Sequence, residues 1–493
     1  MALPARLAKN STYLTLSSIF QKIVSFWYFA YITGALEAKT LDNYVFALNY
    51  AGIFVIIMNF GLIPVLTREG AKQPEKIQEQ MDTILTLKLI ITAISSVVML
   101  VVYYGLNWFK VYWLHTVALP RSVTILVYLT LAMIIFDTFR SIFLAVFRAR
   151  QEMHYEAIGQ FIYQIIVVAG GVGAIVLGYK SRWLILALIL ASGWYCLYAL
   201  IIMLSKAKIR LKFAKFDKTI LMTLLKIAAP FALADAFFKL NGSLDSVMLK
   251  YLAGEGSVTW HAVALKLTVT LTVIPGAFAT AYFPAMSRAF TESIQALKKV
   301  FQQMLYYLLI LSVPISGAVF VLAPHIINLF FHKLPAAIPA LQIFSVSIVL
   351  LFVNYPIGNV LNAANKQTVN TINMGIAMAV NVLLNFILIP LYTYIGAAIA
   401  AVISTVVLIV LGFIQVQRLF NIDTKLLLNK FARIALASAG MVVVVQYVQY
   451  KVSFIILVIL GALLYLALLL LIKGITVAEL RDLYRALLKR GQS

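Results

Sequence analysis

Apolar residues run along this chain in blocks of about twenty, separated by short polar turns. A helix that crosses the hydrocarbon core of a bilayer needs about twenty mainly apolar residues. On that criterion the pattern predicts fourteen spans, at 12–33, 43–66, 81–105, 122–147, 157–178, 183–204, 226–250, 258–284, 300–323, 338–361, 369–390, 394–417, 431–449 and 453–472. The seventh block holds three charges, and only a few residues separate the last two. The first follows the basic start MALPARLAKN and is long enough to span, so it reads as a retained helix rather than a cleaved signal.

The polar turns carry a sign. With fourteen spans, the loops and terminal segments on one side hold 25 of the 40 Lys and Arg residues and the loops on the other side hold 8. Basic residues are retained on the cytoplasmic side of short loops, so both termini are expected in the cytoplasm. The most basic loop, SKAKIRLKFAKFDK, follows the sixth span and fits contact with anionic headgroups. It divides the chain into an N-terminal lobe at 1–204 (spans 1–6), a basic cytoplasmic linker at 205–225 and a C-terminal lobe at 226–417 (spans 7–12). Spans 13 and 14 at 418–472 and a basic cytoplasmic tail at 473–493 follow.

The two halves echo each other. Pro64-Val-Leu-Thr-Arg68 after the second span matches Pro284-Ala-Met-Ser-Arg288 after the eighth, 220 residues on. Phe147-Arg-Ala-Arg-Gln151 after the fourth faces Asn362-Ala-Ala-Asn-Lys-Gln367 after the tenth, with Gln151 and Gln367 216 apart. Six spans is an even number, so the copies share an orientation. Parallel repeats of this kind imply two six-helix lobes about an axis along the membrane normal, with a central cavity between them. The expected fold is therefore an all-α membrane protein of about fourteen transmembrane helices: two parallel lobes plus two C-terminal helices.

Composition narrows the function classes. Hydrophobic residues make up 63% of the 493 and charged residues 12%, where soluble domains carry about 25% charged. In a soluble protein the net charge of +23 would point to nucleic acid; here the basic loops account for it. The one cysteine, Cys196, excludes an internal disulfide and a Cys-based metal site. The histidines at 115, 154, 261, 325 and 332 are scattered, and a Walker A sequence is absent. No catalytic residue, metal site or cofactor is expected, and the loops are short for a membrane-embedded glycosyltransferase.

Charges inside spans are costly and usually have a reason. The basic ones are Lys22, Lys88, Arg140, Lys226, Lys239, Lys266 and Arg433; the acidic ones are Asp137, Asp235 and Asp245. Lys226 and Arg433 lie at helix ends and can snorkel. Asp137 and Arg140, three apart, and Asp235 and Lys239, four apart, are either structural ion pairs or functional groups. Lys22 has no acid in its own helix. Asp245 has no close partner in its helix, and pairs across helices or takes up a proton or cation. Lys22, Arg140, Lys239 and Lys266 together outline a cationic site contributed by both halves. Such a site suits phosphate or pyrophosphate oxygens, which Lys and Arg bind by charge-assisted hydrogen bonds. Pro275-Gly276, Pro314 and Pro356 mark bending points or ordinary packing in the second half.

Asn241-Gly-Ser-Leu-Asp245-Ser-Val-Met-Leu-Lys-Tyr-Leu-Ala-Gly254 with Ala262-Val-Ala-Leu-Lys266, the turn from Leu144 to Met153, and Asn362–Gln367 carry a family likeness. On these patterns the chain resembles the polysaccharide-type lipid flippases of the multidrug/oligosaccharidyl-lipid/polysaccharide exporter superfamily, over essentially its whole length. Ser257-Val-Thr-Trp-His261 departs from the small or glycine-containing turn such chains have there. The resemblance implies transfer of polyprenyl-linked oligosaccharides across the cell inner (cytoplasmic) membrane by alternating access, driven by protons or sodium ions. It implies membrane lipids and polysaccharide-assembly proteins as partners, and no nucleic acid. A cation-coupled multidrug exporter of the same superfamily is the alternative; a cationic interior, Lys22 above all, argues against it.

Overall fold

The computed structural model describes residues 3–113, 115–207, 209–211, 233, 236, 237, 239, 240, 242–422 and 424–475. Asp235, residues 212–225 of the expected linker and the tail from 476 on lie outside the described residues. Among the described residues the chain is helical, with no strand. The helices of the N-terminal part are α1 (Leu3–Ala35), α2 (Ala38–Asn59), α3 (Leu62–Lys72), α4 (Ile77–Tyr112), α5 (Arg121–Ala149), α6 (Met153–Val176) and α7 (Ser181–Ser205). A helical stretch at 242–252, here α8, follows. Then come α9 (Ser257–Thr270), α10 (Val273–Glu292), α11 (Ile294–Phe330), α12 (Ile338–Ala363), α13 (Gln367–Leu419), α14 (Thr424–Val448) and α15 (Phe454–Leu471).

Eleven helical segments among the described residues are long and apolar enough to cross a membrane. Their outward positions are apolar as well: Leu383, Phe386, Ile387 and Leu391 on α13, and Ile455, Ile459 and Leu463 on α15, are exposed. In water such faces would be a liability; in lipid they are the solvated surface. The eleven do not include α1, whose middle carries Gln21, Lys22 and Ser25.

Two helix boundaries depart from the hydropathy pattern. The second apolar block does not run to residue 66. Helix α2 stops at Asn59, and Phe60 and Gly61 both turn left-handed, with φ of 39° and 64°. The apolar residues beyond form the short α3, which buries Leu62, Val65 and Leu66 on one face and leaves Arg68 and Lys72 in solvent. The eighth block breaks at Leu271–Thr272, where three-residue turns join α9 to α10. The eleventh and twelfth blocks meet where the pattern puts their boundary: the 53 residues of α13 contain one non-helical residue, Thr393 (φ 53°, ψ −131°). A continuous helix of that length would run about 80 Å, against a core of about 30 Å, so the break at Thr393 separates two crossings.

Packing divides the chain into two compact units. The first is residues 1–262 with 385–394, and the second is 263–384 with 395–493. One core of the first unit joins α3, α4, α5 and α7 around Leu66, Met81, Phe147 and Met203; another joins α2, α4 and α5 around Phe46, Tyr50 and Tyr103. In the second unit α11, α12, α14 and α15 meet in a large core around Phe301, Phe352, Met441 and Leu457.

The internal echo has a structural counterpart, two residues out of the sequence register. After α5, the amides of Arg150, Gln151 and Glu152 bond the carbonyls of Val146, Arg148 and Phe147. After α12, the amides of Ala364, Asn365 and Lys366 bond those of Val360, Asn362 and Leu361. Each is a helix stop with one left-handed residue, Gln151 (φ 58°) and Asn365 (φ 59°). The equivalent residues are thus 214 apart, and Gln151 corresponds to Asn365 rather than Gln367.

Candidate functional site

Helix α2 presents one polar strip. Ala38, Asp42 and Asn49 share a face at helical spacing, flanked by Lys39 and Asn43. All five contact the segment from α8 to the start of α9, inside the first unit. The Asp42 carboxylate, 1% exposed, accepts the amides of Gly256 and Thr259, the latter at 2.8 Å. The Thr259 hydroxyl donates to the Ala38 carbonyl at 3.2 Å. Lys39 pairs with Glu255 at 2.8 Å, Lys250 donates to Asn43 at 2.6 Å, and Asn49 donates to Ser246 at 2.9 Å. The glycine turn that Ser257–His261 lacks lies just upstream: Gly256 adopts φ 90°, which favours glycine.

One turn further into α8 sits a buried polar group. Asp245 is 2% exposed and His261 fully buried. Asn385 of α13 donates to the Asp245 carboxylate at 2.7 Å, and the His261 imidazole lies 3.7 Å from its other oxygen. Asn385 and Tyr394 belong to the part of α13 that packs with the first unit, where the Tyr394 ring meets Trp260 edge-on at 5.1 Å. Asp245 therefore does pair across helices. A buried carboxylate with an imidazole and an amide within reach is suited to exchange of a proton or small cation. Among the described residues no cluster of three or more His, Cys, Asp or Glu is arranged to hold a metal.

The other sequence-derived candidates fall in different settings. Lys22 is exposed on α1. The same helix is knitted to α6 by Ser17 and Gln21 bonding Gln160. Lys22 has no acidic partner among the described residues. Arg140 and Asp137 form the ion pair that their spacing allows, at 2.8 Å. The guanidinium also lies over the rings of Tyr163 (5.3 Å) and Tyr195 (4.7 Å), an arrangement that holds a cation by the ring quadrupoles. Lys239 and Lys266 are both half-buried, the first in the first unit and the second in the second. Lys22, Arg140 and Lys239 thus belong to one unit and Lys266 to the other, and Asp137 offsets the charge of Arg140.

Sequence reasoning passed over two features that the structure makes prominent. Lys88 is completely buried, although the hydropathy pattern placed it only as one of several charges inside spans. Arg148 grips Glu156 through two nitrogens, and Tyr195 donates to the Glu156 carbonyl at 2.8 Å. Arg150 reaches the Ala207 carbonyl at 2.6 Å, and Gln78 exchanges two hydrogen bonds with the backbone of Arg210, at 2.7 and 2.9 Å. The α5–α6 turn and the start of α4 therefore fix the first residues of the basic linker. Beside them, burial raises the Glu69 carboxyl, but Arg68 and Lys72 outweigh it and hold the group below its ordinary value.

Residues 7–290 match the family model described as polysaccharide biosynthesis protein, and residues 230–387 match MatE. A curated relative, an uncharacterized membrane protein of Methanocaldococcus jannaschii, is 24% identical over 295 residues, and the match spans 57% of this chain and 58% of that protein. Among solved structures, the fold is similar to the lipid II flippase MurJ in an inward closed conformation. That likeness has a TM-score of 0.66 and 16% identity, and covers 92% of this chain and 97% of that one. It is also similar to an inward-facing multidrug resistance MATE family transporter of the MOP superfamily, with a TM-score of 0.67 and 15% identity over 84% and 100% of the two chains. A MOP superfamily transporter from Pyrococcus furiosus, whose binding pocket is described as of reverse polarity, gives a TM-score of 0.51 and 15% identity over 85% and 95%.

Proposed function

Because the chain belongs to the polysaccharide biosynthesis protein family, we propose that it flips a polyprenyl (pyro)phosphate-linked oligosaccharide across the cytoplasmic membrane by alternating access, for surface polysaccharide or glycan assembly. The observation that carries this reading is Lys22, an exposed ammonium in the apolar stretch of α1 with no acidic partner among the described residues. A lipid-borne phosphate would supply the missing counter-charge. Lys239, Lys266 and the paired Arg140 are the further proposed phosphate contacts. The name of the solved neighbour MurJ, a lipid II flippase, lends support from fold alone. Both termini are assigned to the cytoplasm, on the side where 25 of the 40 basic residues cluster. Polysaccharide-assembly proteins are the natural neighbours of such a flippase.

Coupling is proposed at Asp245, with His261 and Asn385 around it, as the group that takes up a proton or sodium ion. Asp137 serves as the structural partner of Arg140. The MatE match over residues 230–387 and the multidrug neighbour favour a second reading, a cation-coupled drug exporter; the exposed ammonium of Lys22 would repel its cationic cargo.

Proteoliposomes separate the two. A fluorescent polyprenyl-diphosphate disaccharide placed in one leaflet should appear in the other when the protein and an ion gradient are present. Transport of cationic dyes with no movement of the lipid would overturn the first reading and leave the second.

A further inference from the structure

Lys88 is the only fully buried lysine among the described residues. Its ammonium nitrogen lies 2.7 Å from Asn59 Oδ1 at the end of α2 and 2.9 Å from Ser141 Oγ on α5. The Ser141 hydroxyl donates to the Thr138 carbonyl at 2.6 Å, which leaves its lone pairs for Lys88. Both partners are neutral oxygens. No carboxylate forms an ion pair with Lys88 among the described residues.

A charge withdrawn from water and met only by neutral dipoles is expensive. A glutamine could donate to the same two oxygens without that cost. Lysine differs in one respect: it can donate to both acceptors as an ammonium, with three N–H bonds, or as an amine, with two. Its hydrogen bonds survive the loss of a proton, and lysine is the basic side chain whose protonation adapts to burial.

Among the described residues the surrounding charges offer Lys88 no alternative counter-ion. On α5, Asp137 and Arg140 are paired with each other. On α4, Asp82 lies more than a turn away and is bonded by Gln78. On α3, Glu69 is engaged by Arg68 and Lys72. The nearby Lys239 has the same sign. A second feature points the same way. The buried face of α4 continues through Thr92 and Ser95, four and seven residues on. Both are buried, and neither hydroxyl has a hydrogen-bond partner among the described residues. Hydroxyls at that spacing form a polar strip that water can bridge to Lys88.

We propose that Lys88 is a proton-binding site within the first unit, served by the Thr92–Ser95 strip, and that its proton is taken up and released during the transport cycle. Proton binding stands on the geometry of Lys88 alone; only its use in the cycle rests on the flippase reading.

The test needs two arms. In detergent, purified wild-type protein and Lys88→Gln are stepped across neutral pH with a pH-sensitive dye present and no substrate. The wild type should release one proton per chain that Lys88→Gln does not. In proteoliposomes, Lys88→Gln should melt close to the wild type and lose the pH dependence of lipid-diphosphate transfer. Equal proton release from the two proteins would overturn the proposal. A clear difference in proton release with no lipid transfer by the wild type would keep the site and remove the flippase reading. Should Lys88→Gln fail to fold, Thr92→Val with Ser95→Ala leaves the lysine in place and should slow proton release several-fold. An unchanged rate in that variant would overturn the proposal as well.

Discussion

Asp42 on α2 caps α9 through Thr259. One carboxylate oxygen accepts the Thr259 amide at 2.8 Å and the other accepts the amide of Gly256. A capping box satisfies the same two donors with two side chains of the helix itself. Gly256 has none to offer, and its φ of 90° explains why glycine stands there. The cap therefore comes from another helix, and it fastens α2 to α9. Hydrogen bonds to a charged acceptor are worth about 1.5–3 kcal/mol each. Asp42→Ala is expected to cost about 2 kcal/mol or more, and Asp42→Asn about half as much because the amide keeps one acceptor. Thermal melting in detergent would show this as a graded loss; equal melting of both variants and the wild type would remove the cap from the account.

Two glycines on α6 are there for a neighbour's ring. A Cβ on Gly171 would fall inside the Tyr28 hydroxyl and ring, and one on Gly159 inside the Tyr195 ring. Gly173, two residues on, has nothing within 4 Å of such an atom. Overpacking of this kind costs about 1–3 kcal/mol. Gly159→Ala and Gly171→Ala should therefore lower the melting temperature, and Gly173→Ala should leave it unchanged or raise it.

The spans were legible because lipid imposes one rule on all of them: a long apolar run with its backbone satisfied inside the helix. The breaks inside a block were not: hydropathy runs straight through Phe60 and Gly61, which both turn left-handed, and through Leu271–Thr272 between α9 and α10, whereas the break at Thr393 falls between the eleventh and twelfth blocks, where the pattern puts it. Hydropathy averages over a window wider than a turn. The polar sites divide in the same way. The Asp137–Arg140 pair was readable because it is local, three residues on one helix. Asp42, His261 and Asn385 were passed over because their partners are about 215, 16 and 140 residues away. The repeat was legible in outline and shifted by two, since the left-handed residue at each helix stop is Gln in one half and Asn in the other.

If Asp245 couples transport to an ion gradient, removing its charge should uncouple the protein without emptying the membrane of it. Asp245→Asn keeps an oxygen for the Asn385 amide, so the hydrogen bond at 2.7 Å can persist. The variant should reach the membrane at normal levels and equilibrate labelled lipid down its own gradient, while an imposed ion gradient no longer accelerates transfer. Gradient-driven transfer at the wild-type rate would take Asp245 out of the coupling step.

Arg140 and Asp137 make a sharper case for pairwise dependence. Removing Asp137 alone leaves a guanidinium between two tyrosine rings with no counter-ion; removing both leaves none to compensate. Asp137→Asn should therefore be more damaging to stability than Asp137→Asn with Arg140→Gln. The double variant should recover on the order of 1 kcal/mol in a double-mutant cycle. Strictly additive losses would mean that the two groups act independently.

Lys22 is the residue on which the choice of cargo turns. It stands exposed on α1 among Ile19, Ile23 and Trp27, all exposed as well. Because Lys22 is exposed and has no acidic partner among the described residues, Lys22→Ala should leave expression and melting unchanged. If it binds the phosphate of the cargo, the same variant should reduce lipid transfer at least tenfold, which corresponds to about 1.4 kcal/mol of lost binding. Lys22→Arg should retain much of the activity, since a guanidinium also binds phosphate oxygens, whereas Lys22→Glu should abolish lipid transfer and, on the drug-export reading, raise the uptake of cationic dyes. Normal lipid transfer by Lys22→Ala would separate this residue from the cargo and move the search for the phosphate contact to Lys239 and Lys266.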